Sequence, residues 1–214
     1  LSRRPFDVAR LEDLRRVGGE FVTRPVRLRF GIRSFGVNAY APGESGRVIE
    51  EHDELVAGAG RHEELYFVAR GHAVFTLDGD EVDAPAGTFV FVSDPAVRRA
   101  AIARGADTVV LVGGGVPGKP FTPSPWEAWL EAAPFLESGK LDRGIAVFER
   151  ALSEHPGNPS VLYNLACFEA LAGRVDEALG HLGEAVEADP RTREWARSDS
   201  DFDSIRDDPR FPTS

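Results

Sequence analysis

Two stretches of the C-terminal half match each other at a spacing of 34 residues. Gly139-Lys140-Leu141-Asp142 returns as Gly173-Arg174-Val175-Asp176, Phe148 as Leu182, Ala151 as Ala185 and Pro156 as Pro190. A repeat of that length, with apolar residues at helical spacing between Gly and Pro, predicts helical units that bury a core by stacking on one another. The first unit spans about 125–155 and the second about 159–189. A third stretch, 191–211, contains Asp199, Asp201, Phe202, Ile205 and Pro209 and predicts one capping helix with a tucked tail. Leu162, Leu165, Ala166, Leu182 and Ala185 are the expected helix-pair core. Cys167 lies among them and reads as a small buried residue rather than a nucleophile.

The period changes at residues 113–125, GGGVPGKPFTPSP, which read as a Gly/Pro linker. Gly113 to Lys119 has the spacing of a phosphate-binding loop, but Pro120 stands where Ser or Thr is required. Pro123 and Pro125 also prevent an immediate helix, so no nucleotide site is expected there. Charge divides near the same place. Residues 1–120 carry 16 Lys and Arg against 17 Asp and Glu, whereas residues 121–214 carry 9 against 18. An acidic half lacks the cations that phosphate contacts need, which argues against nucleic acid as a partner. No apolar run reaches the roughly 18 residues of a membrane span, and the start LSRRPFDVARLEDLRR has no apolar leader core. One cysteine excludes an internal disulfide and fits a reducing cytoplasm.

Before the linker the pattern is that of strands. Candidates are Phe21–Thr23, Val26–Phe35, Val37–Tyr40, Arg47–Leu55, the block 64–87, Thr88–Ser93, Val97–Ala103 and Asp107–Val112, each bounded by Gly, Pro or Asp. Residues 6–17 read as a short helix or an edge segment ended by Gly18-Gly19, and Ala57-Gly58-Ala59-Gly60 as a loop. In Val26–Phe35, apolar residues alternate with Arg27, Arg29 and Arg33. That basic stripe is either a solvated edge or a docking face for the acidic half or a second subunit. Asp78-Gly79 is a hairpin signal. Many short antiparallel strands predict a barrel or sandwich.

The block EELYFVARGHAVFTLDGDEVDAPAG resembles the central part of a cupin barrel: Glu64 and Gly71 fall on that family's glutamate and glycine, Pro85 and Gly87 on its second motif. The 34-residue period resembles tetratricopeptide repeats. Together they imply an α+β multidomain chain, with a cupin-like antiparallel β-barrel over 1–120 and an all-α helical-repeat unit over 121–214.

The cupin resemblance also implies a metal site made of His-x-His, a Glu and a final His. Glu64 matches the Glu. The final His should fall eleven residues beyond Gly87, where Arg98 stands, and a guanidinium cannot ligate a metal. His52-Asp53-Glu54 has Glu in place of the second His, and His62 lies only two residues before Glu64. His72, His155 and His181 are not expected to take part. The expectation is therefore a site without metal, in which Arg98 faces Glu64 across the barrel. The competing reading is that Arg98, or its neighbour Arg99, points to solvent, because the register between Val92 and Val97 passes through Asp94-Pro95, where a bulge would shift facing by one residue. His52, Glu64, Tyr66 and Arg98 would line a pocket for a small polar or anionic molecule. Should a metal bind, His52, His62 and Glu64 would hold a divalent transition metal, as in a cupin oxygenase or isomerase. The resemblance further implies a homodimer, and the helical unit either docks or takes a protein partner.

Overall fold

The computed structural model describes residues 7–18, 21–55 and 59–212, with Phe21 by its backbone alone. Phe6, Gly19 and Ala57-Gly58 lie outside them. The chain divides into two units, Leu1–Pro123 and Ser124–Ser214.

The first unit is built from two antiparallel sheets. One has the order β1 (Phe21–Arg24), β2 (Gly36–Pro42), β9 (Val109–Gly115), β4 (Glu63–Arg70), β7 (Phe89–Val92). The other has the order β3 (Arg47–His52), β8 (Arg99–Ala103), β5 (His72–Leu77), β6 (Asp80–Pro85). The expected antiparallel fold is present as a pair of sheets. Alternation on the strands sends Val48, Tyr66, Val68, Phe75, Val90, Ala101, Val110 and Val112 into one shared core. The β5–β6 hairpin closes through Asp78 and Gly79, both at positive φ (48° and 95°), as a two-residue turn with the strands' own twist demands. Gly71 has φ 72°, and a Cβ there would lie 2.6 Å from Thr108 Cα. That position admits glycine on both counts.

Two sequence expectations fail here for identifiable reasons. The strand expected over Val26–Phe35 is instead α1 (Val26–Phe30), set off by Pro25 and closed by Gly31 at φ 66°. Val26 and Phe30 are four residues apart, so the same residues satisfy a helical turn as well as an alternation. Arg29 pairs with Asp7 at 2.6 Å and Arg27 lies over the Phe121 ring, so the basic stripe is not a strand edge. The second failure is Gly113–Gly115, read as linker, which completes β9 between β2 and β4. Residues 7–17 hold only a single 3-10 turn, Leu11–Asp13, and one bridge from Val17 to Thr23.

The second unit follows the repeat. Helices α2 (Glu127–Glu137) and α3 (Leu141–Glu154) form the first pair, α4 (Pro159–Leu171) and α5 (Val175–Ala188) the second, and α6 (Arg191–Ser198) caps them. Gly139 and Gly173, the repeated glycines, end α2 and α4 at φ 66° and 75°. Asn158 caps α4, its side chain accepting from the amides of Ser160 and Val161, with Pro159 in the first turn. Helix α4 is apolar nearly all round because it is central. Val161, Leu165 and Phe168 pack toward α2 and α3, while Leu162, Tyr163, Ala166, Cys167 and Ala170 pack toward α5 and α6. Phe202, Ile205 and Phe211 return to this second cluster as the tucked tail. Cys167 is buried. Burial and the carboxylates of Asp199 and Asp201 push its thiol far above the ordinary range, which makes it inert at neutral pH.

Two glycines test this packing. A Cβ on Gly144 in α3 would lie 2.0 Å from the buried Phe168 ring, whereas one on Gly180 in α5 meets nothing within 4 Å. Alanine is the better helix former by about 1 kcal/mol, so Gly180→Ala should stabilise by about 0.5–1 kcal/mol. Gly144→Ala should instead lose about 1–2 kcal/mol net through overpacking. Urea unfolding of both variants checks the pair; a stabilised Gly144→Ala would show that the Phe168 ring yields.

Candidate functional site

Alternation on β4 turns Glu64 and Tyr66 to the inner face, where Glu64 lies opposite Val92 on β7 and Gly114 on β9. Gly114 leaves room for it: a Cβ there would lie 2.8 Å from the Glu63 carbonyl oxygen and 3.2 Å from Glu64 Cγ. On the facing sheet Arg99 shares its face with Ala101, and it pairs with Leu77 on β5 and His52 on β3.

Glu64 is the hub. Its Oε2 accepts from the Tyr66 hydroxyl at 2.5 Å and from Arg99 Nε at 3.1 Å, and His52 Nε2 lies 3.7 Å away. The Arg99 side chain has no exposed surface. Its Nη1 donates to the carbonyls of Pro95 and Val97 at 3.2 and 2.6 Å. Its Nη2 lies 3.1 Å from Glu64 Oε2 without hydrogen-bonding geometry and has no other acceptor among the described residues. No donor among the described residues reaches Glu64 Oε1. A buried charge without a full set of partners is costly.

The titrations follow from that geometry. Burial acts to raise the Glu64 pKa, but His52, Tyr66 and Arg99 outweigh it and hold the carboxyl below its ordinary value. Burial pushes the Tyr66 phenol well up, and the adjoining carboxylate adds to the effect. Burial also works against a charged His52, yet the nearby Glu64 carboxylate and the hydrogen bond to the Glu50 carbonyl raise its pKa. His52 Nδ1 sits 2.7 Å from that carbonyl, so Nδ1 carries a proton and Nε2 faces the carboxylates.

The residues expected at the site therefore divide. His52, Glu64 and Tyr66 come together, but Arg98 does not join them. Its side chain is mostly exposed and pairs with Glu51 at 2.7 Å. Both backbone groups of Arg98 bond Asp78, and the register places Arg99, not Arg98, in line with Ala101 on the inner face. The arginine facing Glu64 is one residue further on, the shift that the Asp94-Pro95 turn allows.

The proposed ligand trio His52, His62 and Glu64 is not assembled. The His62 amide is tied to the Glu54 carboxylate at 3.1 Å, and its ring lies against Phe121, centroids 5.9 Å apart. That set does not fit a metal. Glu54, which the sequence offered only as a failed histidine, is buried and places Oε1 3.9 Å from His52 Nε2. His52, Glu54 and Glu64 bring one ligand atom each within 4.8 Å of one another. Against a cation there stands the Arg99 guanidinium on the same Glu64 oxygen.

Residues 135–198 match the family model for tetratricopeptide repeats. No curated protein matches the chain in sequence. Among solved structures, a cupin protein from Bacteroides fragilis is similar at 17% identity, with 57% of this chain and 93% of that chain covered and a TM-score of 0.40. An RmlC-like cupin from Shewanella frigidimarina is similar at 15% identity, 54% and 95% coverage and a TM-score of 0.41. KdgF from Halomonas sp. is similar at 17% identity, 48% and 85% coverage and a TM-score of 0.39. No helix among the described residues is long and apolar enough to cross a membrane.

Removing the Arg99 charge strands Glu64, so Arg99→Met should cost about 3–5 kcal/mol. Arg98→Met breaks only a surface pair and should cost under about 1 kcal/mol. Denaturant unfolding of the two variants distinguishes them, and equal losses would refute the assignment of Arg99 to the interior. A second expectation concerns pH. The raised His52 pKa contributes stability that is complete below the unfolded value of about 6.5 and is lost as pH rises through the folded value. The depressed Glu64 pKa contributes stability present above about pH 4.3 and lost as pH falls through its folded value. Melting temperature followed across pH should therefore decline on the alkaline side, and His52→Gln should flatten that limb.

Proposed function

We propose that this chain, a cupin-like β unit joined to tetratricopeptide-type helices, is a binding module whose β unit takes a small polar or anionic molecule without a metal. The observation that carries the reading is the Arg99 guanidinium, wholly buried on Glu64 with Nη2 lacking an acceptor. A ligand hydroxyl could accept from Nη2 and donate to Glu64 Oε1, while a carboxylate or phosphate oxygen could accept from Nη2 and from the His52 imidazolium. Charge supports the absence of a metal: the Arg99 guanidinium already sits on the Glu64 oxygen that a cation would need. His52, the most exposed member of the cluster, is the natural point of entry. The helical unit, with 18 acidic against 9 basic residues over 121–214, would serve for docking or for recruiting a basic segment of a protein partner.

A second reading, a metal-dependent cupin enzyme, is favoured by the three ligand atoms of His52, Glu54 and Glu64 lying within 4.8 Å. Elemental analysis of untagged protein purified without chelator separates the two, together with thermal-shift titration against hydroxy acids, sugars and phosphate. The binding module should be metal-free. A ligand at a hundred times its Kd should stabilise it by about 2.7 kcal/mol, a gain that His52→Asn reduces. Near-stoichiometric metal that disappears in Glu54→Gln would establish the enzyme reading instead.

A further inference from the structure

Asn38 is an interior amide that the cluster around Glu64 does not use. It lies on β2 opposite Val112 of β9, which lies opposite Tyr66 of β4; the adjacent row sets Gly36, Gly114 and Glu64 side by side in the same way. Alternation therefore turns Asn38 to the inner face shared by Glu64 and Tyr66. Tyr40, two residues further along β2, packs on the same core. Asn38 is 5% exposed, and its Oδ1 is buried with no hydrogen-bond donor among the described residues. The Phe121 ring covers the neighbouring Gly36, where a Cβ would lie 2.9 Å from it, so the amide is shut off from bulk water on that side. The facing sheet holds the complementary gap: Arg99, with no exposed surface, keeps Nη2 without an acceptor. The interior thus contains an acceptor that lacks a donor and a donor that lacks an acceptor, on opposite sheets. Each is costly while it stays unmet.

We propose, resting on the metal-free binding reading of the β unit, that Asn38 is a specificity-determining residue and selects a hydroxylated carboxylate. The carboxylate end meets Arg99 and His52, and a hydroxyl meets Asn38. The chemistry of the two gaps narrows the ligand to this class. Oδ1 only accepts, so the group that answers it must donate. A plain carboxylate or a sulfate brings acceptors alone and leaves Oδ1 unmet. An ammonium donates, but the residues in the Asn38 row, Val112, Tyr66 and Val90, carry no charge to balance it. A hydroxyl donates to Oδ1 without a charge and can accept from Nδ2 of the same amide. A site built to bond a hydroxyl rejects the analogue that lacks it, because its own polar group is then left buried and unpaired.

Isothermal titration of the full-length chain with gluconate and with hexanoate tests this, since both are six-carbon carboxylates and differ only in hydroxyls. The native chain should bind gluconate at least about tenfold more tightly. Asn38→Leu should reduce that preference to about threefold or less, and Asn38→Ser, which keeps a hydroxyl at the position, should retain it. The ligand-free melting temperature of Asn38→Leu should be no lower than that of the native chain, because an unmet polar atom has been removed. Should Asn38→Leu misfold, Asn38→Ala makes the same comparison. Equal affinities in the native chain, or a preference that Asn38→Leu leaves intact, would overturn the role of Asn38 while the binding-module reading stands. Binding of inorganic phosphate with neither acid bound would do the same. No binding of gluconate, hexanoate, glucose or phosphate would overturn both.

Discussion

A guanidinium with no surface in water governs the N-terminal unit. Arg99 can stay charged in the interior only if a carboxylate meets it, so Glu64 must be ionised and must reach it. That requirement propagates outward. Glu64 needs the Tyr66 hydroxyl, which ties two inward positions of β4 to one another. It needs a neighbour without a side chain, which Gly114 supplies on β9. Arg99 needs the carbonyls of Pro95 and Val97, which hold the turn before β8 in one conformation. Three strands and a turn are thus in register because a single pair of charges would otherwise be left unmatched.

The cluster is polar, yet the space around it is not. Tyr66 edges against Phe75 at 5.4 Å between centroids, and valines from both sheets close the interior below. Low polarity strengthens each remaining electrostatic contact and penalises each missing one. This is why one unaccepted Arg99 nitrogen carries more weight than many exposed polar atoms. The second unit contains a comparable buried acid, Glu169 on α4, met at 2.8 Å by His181 from α5. There the partner is on the adjacent helix of the same repeat, and the pair fastens two helices without leaving an opening for a ligand.

Legibility in the sequence tracked the range of the forces involved. The helical repeats were readable because their signals are local: Gly139 and Gly173 end helices in the left-handed region and Asn158 caps one. The Asp78-Gly79 hairpin was readable for the same reason. Val26–Phe35 misled because four alternating apolar residues also fit a short helix, and the punctuation by Pro25 and Gly31 was the better guide. Gly113–Gly115 looked like linker because glycine has poor strand propensity; only the neighbouring strand β4 shows why Gly114 must lack a side chain. At the site, Glu64 came from the cupin resemblance, and Tyr66 from its place two residues further along the same strand face. Arg98 and Arg99 could not be separated without the backbone bonds to Asp78, and Glu54 became a site residue only once the Gly60 and His62 amides were seen to bond it.

The pairing of β2 with β9 sets Gly36 beside Gly114 and Tyr40 beside Val110. Contacts that distant in sequence close a large loop before they return any binding energy, so a unit built on them folds late and slowly. As the chain leaves the ribosome, β2 waits for nearly eighty residues to emerge before its central-sheet partner exists. During that interval the phenylalanines of β4 and β7 are available to neighbouring chains. The helical repeats, whose partners lie on neighbouring helices, close as they appear. Biogenesis therefore places the demand for chaperone protection on the first half of this polypeptide and little on the second.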